Sequence, residues 1–181
     1  MSFPVLSIET KNLSVSYDTL VALNFDSLSL KGNTIGVIGH NGAGKSTFLK
    51  TILGLLVPEK GDLQIYCEDN GTNKKVIPTD DCAFCPETGS VFADISVETY
   101  IKLWCRIKCK GANYYKKEGK GTIDSFEISP LFKKFGKHLS KGEKRRVQTA
   151  IGFLTSPKVF LFDEPFDGLD VQKSHELTEN F

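Results

Sequence analysis

The sequence predicts an α/β fold with a parallel central sheet, an antiparallel strand layer near the amino terminus and a helical segment in the middle of the chain. Apolar residues alternate with period two between Leu6 and Leu30, which indicates antiparallel strands. From Val97 onward the apolar residues fall at helical spacing instead. The wholly apolar run at 159–162 is typical of a parallel strand that is covered on both faces. These three patterns together define the fold class.

A glycine-rich motif lies between two apolar runs. The run at 35–38 predicts a buried strand before it, and the run at 48–56 predicts a buried helix after it. The motif matches the phosphate-binding pattern G-x-x-x-x-G-K-[ST]. Its residues are Gly39, His40, Asn41, Gly42, Ala43, Gly44, Lys45, Ser46 and Thr47. Glycines let successive N–H groups approach and surround an anion, so the motif predicts a nucleotide site.

Individual side chains of the motif have separate expected roles. Lys45 adds a positive charge for the terminal phosphates, Ser46 is placed to hold Mg²⁺, and Thr47 can reach a phosphate oxygen. Tyr17 ends the second predicted strand segment, ahead of the motif. It is either a half-buried strand aromatic or a ring that stacks on the nucleotide base.

Composition narrows the class of protein. The chain has 181 residues, 40% of them hydrophobic, and a net charge of +1, so no global charge argument favours nucleic acid. No apolar run reaches the length of a membrane span, and the amino terminus lacks a secretion signal. We therefore expect a cytoplasmic protein in which any membrane contact would go through a partner.

The middle of the chain holds several weaker signals. The polar residues 68–75 predict a loop, and residues 82–85 predict a short strand that ends at Pro86. Four cysteines, Cys82, Cys85, Cys105 and Cys109, resemble a zinc site by spacing, but reduced and packed thiols are the favoured interpretation.

A helix with one apolar face is predicted from Val97 through Tyr100, Ile101 and Trp104. Its apolar face either packs in the core or docks a partner. The lysine-rich stretch 108–120 is interpreted as a solvated loop, in preference to a nucleic-acid patch.

Two further segments carry chemistry. Ser140-Lys141-Gly142-Glu143 has the S-x-x-E form of a helix capping box, and the start of that helix is a second candidate anion site. Asp163 and Glu164 follow the apolar run at 159–162. In a phosphate-binding protein the first carboxylate typically holds Mg²⁺, and the second is suited to act as a general base on water. A structural ion pair is the alternative.

The order of these motifs resembles the nucleotide-binding domain of ABC transporters over essentially the whole chain. Residues 39–47 resemble Walker A, and 159–164 resemble Walker B with its catalytic glutamate. Residues 139–143 resemble the ABC signature, usually LSGGQ, from which Lys141 and Glu143 depart. Residues 168–170 resemble the D-loop. Tyr17 falls where the family stacks adenine.

This resemblance implies an ABC ATPase fold, with ATP and Mg²⁺ as ligands. It implies a core at residues 1–87 plus 139–181, built on a P-loop (RecA-like) sheet with an antiparallel layer, and a helical subdomain at 88–138. Two ATPase domains, as a homodimer or heterodimer, would sandwich two ATP molecules. Each ATP would be bound by one subunit's P-loop and the other subunit's signature.

Residue roles follow from the same resemblance. The signature residues Ser140, Lys141, Gly142 and Glu143 would face ATP in trans, with Ser140 and Gly142 at its γ-phosphate. Glu164 would be the catalytic base, and Asp170 would couple the two sites. Ser46, Glu87 and Asp163 would hold Mg²⁺, with Glu87 standing where the family commonly has glutamine.

The partner implied is a transmembrane permease on the cytoplasmic face of the membrane. ATP binding and hydrolysis would drive substrate movement through it, in the direction of export. The family's later strands and switch histidine are not found before Phe181, and His175 lies too early to replace that histidine. The alternative expectation is therefore a truncated remnant that binds ATP with little or no hydrolysis.

Overall fold

The computed structural model describes residues 4–69 and 71–164, and these form two compact units. The first unit contains the described residues of Met1–Cys82 together with Pro157–Leu161. The second contains Ala83–Ser156 and the described residues from Phe162 onward. The mixed strand and helix content of the described residues agrees with the predicted α/β class.

An antiparallel sheet dominates the first unit. Its strands are β1 (Val5–Tyr17), β2 (Leu20–Gly32), β3 (Lys60–Asp69) and β4 (Thr72–Lys75), in the order β2-β1-β3-β4. The first two strands end where the sequence pattern breaks, and Asp18 turns the chain with a φ of 52°. The antiparallel layer predicted from the period-two pattern is confirmed.

A bulge in β1 changes which side chains are buried. Ile8 and Thr10 face the interior before it, whereas Leu13 and Val15 do so after it. The switch occurs at Asn12, which has a φ of 47°, and the pairing with β3 shifts register there. An extra residue in a strand reverses the alternation of its faces, so the bulge keeps both halves of the apolar pattern inward.

The predictions for two segments of this unit are wrong. The sequence predicts a loop at residues 68–75, but β4 pairs with β3 there. In this pairing Lys75 lies opposite Tyr66 and Thr72 lies opposite Asp69. All four β4 residues are exposed, so backbone pairing rather than an apolar pattern forms this edge strand. Residues 35–38 form no strand, and Ile38 is 98% exposed. Apolar composition makes a strand only where a neighbour pairs with it, and no described strand pairs with this segment.

Two helices complete the first unit. Helix α1 (Lys45–Ile52) buries Phe48, whose ring lies edge-on to Phe25 at a centroid distance of 5.9 Å. The chain turns at Gly54 with a φ of 70°, and Leu55 is 64% exposed, so the helix ends before the last apolar residues of the run at 48–56. Helix α2 (Pro78–Asp81) is a single turn before the next strand.

Helices α3 (Val97–Ile107), α4 (Lys120–Ser125) and α5 (Lys141–Leu154) build the second unit, with short 3₁₀ turns at Tyr114–Lys116, Ser129–Leu131 and Gly136–His138. Its core is one cluster of buried residues that includes Val97, Ile101, Tyr115, Ile128 and Val147. The apolar face predicted for α3 packs into this core, although Ile107 at its end is 55% exposed.

The carboxyl end of α3 has a Schellman motif without glycine. The Lys110 N–H donates to the Cys105 carbonyl at 2.8 Å, and the Cys109 N–H donates to the Arg106 carbonyl at 2.9 Å. Cys109 occupies the left-handed position with a φ of 55°. Glycine is the usual residue there because a Cβ is strained in that conformation.

A two-stranded sheet pairs β5 (Cys82–Cys85) with β6 (Val159–Phe162), as the sequence predicts for both strands. The Lys158 N–H donates to the Asp81 carbonyl, and the Asp163 N–H donates to the Cys85 carbonyl, so the strands run parallel. All five cysteines are free thiols, and no three metal-ligating side chains converge within residues 4–69 and 71–164. In that same part of the chain no helix is long and apolar enough to cross a bilayer.

Candidate functional site

The glycine-rich motif of the first unit forms an exposed loop that leads into α1. Gly42 and Gly44 have φ values of 84° and 88°. A Cβ on Gly44 would lie 2.7 Å from the Ala22 carbonyl oxygen and 2.9 Å from Leu23 Cδ2, so only glycine fits there. Gly44 is also the N-cap of α1, and no side chain caps the first turn. The N–H groups of this turn are therefore suited to an anion.

Lys45 lies across this loop. Its Nζ donates to the carbonyl oxygens of Gly39 at 2.9 Å and His40 at 3.1 Å. The Ala43 N–H also donates to the His40 carbonyl, at 3.1 Å. These bonds hold the lysine ammonium group beside the backbone of the loop, which is where the sequence predicts a charge for phosphates.

Tyr17 and Thr47 come together in the structure. The Tyr17 hydroxyl lies 3.5 Å from Thr47 Oγ1, at the long limit of a hydrogen bond. The tyrosine side chain is 44% exposed, whereas Thr47 is buried. The residue predicted to stack on a base is thus beside the phosphate-binding motif, and its ring remains accessible.

The predicted capping box forms at the start of α5 in the second unit. Ser140 Oγ accepts the Glu143 N–H at 3.1 Å, and Glu143 Oε2 accepts the Ser140 N–H at 2.9 Å. Glu143 Oε1 accepts a bond from Lys134 Nζ at 2.7 Å. This bond, followed by the Ser140 N–H, holds the pKa of Glu143 below its usual range. Lys141 and Gly142 are exposed in the first turn, and the position of a Gly142 Cβ would be open.

Asp163 and Glu164 follow β6. Asp163 is 7% exposed, and a carboxylate this buried is stabilised by donors or a cation, because desolvation penalises its charge. Carboxylate oxygens are ligands that Mg²⁺ prefers, together with water and substrate phosphates, so Asp163 fits an Mg²⁺ ligand. Glu164 has a φ of 49°, and its carbonyl oxygen accepts a bond from Arg145 Nη2 at 2.5 Å.

Glu87 is exposed just after β5, and the segment that follows it lies on α5. A Cβ on Gly89 would lie 2.6 Å from the Arg145 backbone nitrogen. The Ser90 N–H donates to Gln148 Oε1 at 2.6 Å. Helix α5 therefore contacts both the segment after Glu87 and the Glu164 backbone.

Some predicted positions lie outside the described residues. These are the D-loop residues 168–170, including Asp170, and His175.

Three residues of the candidate site were missed at the sequence level: Lys134, Arg145 and Gln148. Arg145 and Gln148 are spaced i, i+3 on a predicted helix, so the sequence puts them on one face. No local pattern pairs Lys134 with Glu143, nine residues away.

Comparisons with known proteins agree with these motifs. The sequence profile described as "ABC transporter" matches residues 23–167. The chain is 30% identical over 177 residues to the ABC-type transporter ATP-binding protein EcsA of Bacillus subtilis (strain 168), covering 95% of this chain and 70% of EcsA. It is 29% identical over 176 residues to ABC transporter G family member 20 of Dictyostelium discoideum, covering 95% of this chain but 24% of that relative.

A solved structure titled "Structure of ATP binding subunit of ABC transporter" superposes with a TM-score of 0.73 at 28% identity. The match covers 95% of this chain and 72% of the other. The chain thus spans most of an isolated ATP-binding subunit, but about a quarter of the Dictyostelium protein.

Proposed function

The chain belongs to the ABC transporter family, and we propose that it is an ATP-binding subunit that couples ATP binding and hydrolysis to substrate movement by a membrane permease. The observation that carries this proposal is the loop at the start of α1. It combines two glycines at positive φ, an uncapped first helical turn and a lysine ammonium group held at the loop backbone. These are the features that bind the phosphates of a nucleoside triphosphate. The accessible ring of Tyr17 would stack on the adenine.

Hydrolysis in this proposal depends on the carboxylates after β6. Glu164 accepts a proton from the attacking water as general base. Ser46, Glu87 and Asp163 hold Mg²⁺, which neutralises charge on the phosphates when it is bound. Two observations support these roles: Asp163 is buried, and Arg145 bonds to the Glu164 carbonyl. Both hold the chain in place directly after β6.

The site is completed by a second ATPase domain, either a copy of this chain or a related subunit. Ser140 and Gly142 of one domain contact the γ-phosphate of ATP on the other, and Asp170 couples the two sites. The open space at Gly142 supports this, because a phosphate can approach the start of α5 there.

The permease contacts the helical subdomain, for which we propose residues 88–138, and the segment near Glu87. The protein lies on the cytoplasmic face of the membrane, which it contacts through the permease. We propose export as the direction, on the sequence variants at Glu87 and in the signature.

Nucleic acid is not part of the proposal. Within the lysine-rich stretch 108–120, Lys116 bonds to Glu98, and Tyr115 is 1% exposed. Neither the Lys116 charge nor the Tyr115 ring is presented in the way that a nucleic-acid platform requires.

ATP affinity and phosphate release, measured on one preparation, test the proposal. We expect saturable Mg-ATP binding and steady turnover that Glu164→Gln abolishes while ATP binding persists. Binding without turnover in the wild-type chain would contradict the hydrolytic part and support a remnant that only binds ATP. Turnover that survives Glu164→Gln would contradict the assigned base.

A further inference from the structure

The signature of this chain carries a charge at a position that faces an anion in the proposed dimer. Glu143 stands at the fifth signature position, where a neutral glutamine is usual, and it lies in the first turn of α5 with Ser140 and Gly142. An unneutralised carboxylate there would repel the γ-phosphate that these residues are proposed to bind. The structure has to offset that charge for the site to work.

Lys134 is placed to do so. Its Nζ lies 2.7 Å from Glu143 Oε1, while Glu143 Oε2 accepts the Ser140 N–H at 2.9 Å. Each carboxylate oxygen therefore has a donor. The lysine bond directs the carboxylate back toward Lys134 and the Ser140 backbone.

Hydrogen bonds hold both the N–H and the carbonyl group of Lys134, so the backbone defines where its side chain starts. The Lys134 N–H donates to the Leu131 carbonyl at 2.8 Å, and its carbonyl accepts the Val97 N–H at 2.9 Å. Leu131 and Val97 are both buried in the core of the second unit. The core thus sets where Lys134 can reach.

We propose that Lys134 is a positioning residue of the signature, which neutralises and orients Glu143 so that the start of α5 can accept the γ-phosphate of ATP bound to a second copy of this chain. This inference rests on the proposed function, since it concerns the same ATP-bridged dimer. Lys134 itself does not contact the nucleotide.

If Lys134 only stabilised the fold, its removal would lower the unfolding midpoint. The lysine and glutamate side chains are 46% and 23% exposed, and ion pairs this accessible contribute little to stability. Removing Lys134 should therefore leave the unfolding midpoint almost unchanged. Its effect should appear in the ATP-driven association of two chains.

The test compares variants of this chain in a Glu164→Gln background, which is expected to prevent turnover. Sedimentation equilibrium in Mg-ATP measures association, and an ATP titration at low protein concentration measures binding to the single chain. The variants are Lys134→Met, Lys134→Arg and the double variant Lys134→Met/Glu143→Gln. Lys137→Met is the matched control, because Lys137 makes a similar exposed pair with Asp94 at 3.1 Å.

We expect Lys134→Met to weaken association about fivefold per site, and so about 25-fold in a symmetric dimer with two sites. Single-chain ATP affinity should stay within about twofold, because the P-loop is unchanged. Lys134→Arg and the double variant should restore association, since one returns the positive charge and the other removes the negative one.

Two results would overturn the inference alone: association of Lys134→Met equal to that of Lys137→Met, or a double variant as impaired as Lys134→Met. Parent protein that binds ATP without associating would instead overturn the self-dimer of the proposed function, and the inference with it.

Discussion

Replacing Gly89 with alanine should destabilise the second unit, because this glycine lies directly on the backbone of α5. A Cβ at residue 89 would lie 2.6 Å from the Arg145 nitrogen and 2.8 Å from its Cα. Both atoms belong to a helix backbone, so they cannot rotate away as a flexible side chain would. The segment has to move by about half an ångström or more, and overpacking of this kind costs about 1–3 kcal/mol.

Gly121 gives a matched control in the same unit. It lies inside α4, and nothing is within 4 Å of the position that its Cβ would occupy. Alanine is favoured over glycine by about 0.5–1 kcal/mol in a helix interior and by less in the first turn, where Gly121 lies, so Gly121→Ala should raise stability slightly. The two variants make the same chemical change and should have opposite signs.

Urea denaturation followed by tryptophan fluorescence measures both variants. Trp104 is the single tryptophan of the chain, and it packs on the core of the second unit. We expect the midpoint to fall for Gly89→Ala and to rise for Gly121→Ala. A Gly89→Ala midpoint equal to or above that of wild type would refute the contact between this segment and α5.

Three further predictions concern the second unit. Cys109→Gly should stabilise the protein by about 0.5–1 kcal/mol by thermal unfolding, because it relieves a left-handed residue at the end of α3, whereas Cys109→Ala should give no gain. The Tyr115 hydroxyl, and after it Lys102, lowers the pKa of Glu98 from 4.5 to about 2. This shift stabilises the folded state fully above pH 4.5, and the stabilisation is lost as the pH falls from about 4.5 to 2. Glu98→Gln should reduce the change in unfolding free energy over this pH range by about 1 kcal/mol, a value that allows for the partial exposure of Glu98. A pH dependence of the unfolding free energy equal to that of wild type would contradict the assignment. Arg145→Met should lower the ATPase kcat about tenfold, with the KM for ATP nearly unchanged, because it releases the Glu164 backbone; a change confined to KM would exclude this role.

Features with a local cause could be predicted from the sequence. The capping box at Ser140 and Glu143 forms as its spacing indicates, because both bonds join residues three apart. The strands that end at Tyr17 and Gly32 stop where turn residues interrupt the alternating pattern. Gly42 and Gly44 of the P-loop take up positive φ for the same reason, since glycine permits a conformation that the motif needs.

Features that depend on distant residues could not be predicted in this way. The strand at 72–75 exists because β3 offers it a free edge, and its own side chains carry no strand pattern. Residues 35–38 show the converse, because they have the composition of a strand but no pairing partner among the described residues. The contact from Arg145 to the Glu164 carbonyl joins residues 19 apart and has no signature in either segment.

An equilibrium titration with Mg-ATP of wild type, Lys45→Ala and Lys50→Ala tests the central claim most directly. Both lysines lie on α1, but Lys45 alone bonds to the Gly39 and His40 carbonyls of the loop. We expect saturable binding by wild type and Lys50→Ala, and an affinity at least about tenfold weaker for Lys45→Ala, because a charged donor to the phosphates is lost. Equal affinities for all three proteins, or no binding by wild type, would contradict a nucleotide site at this loop.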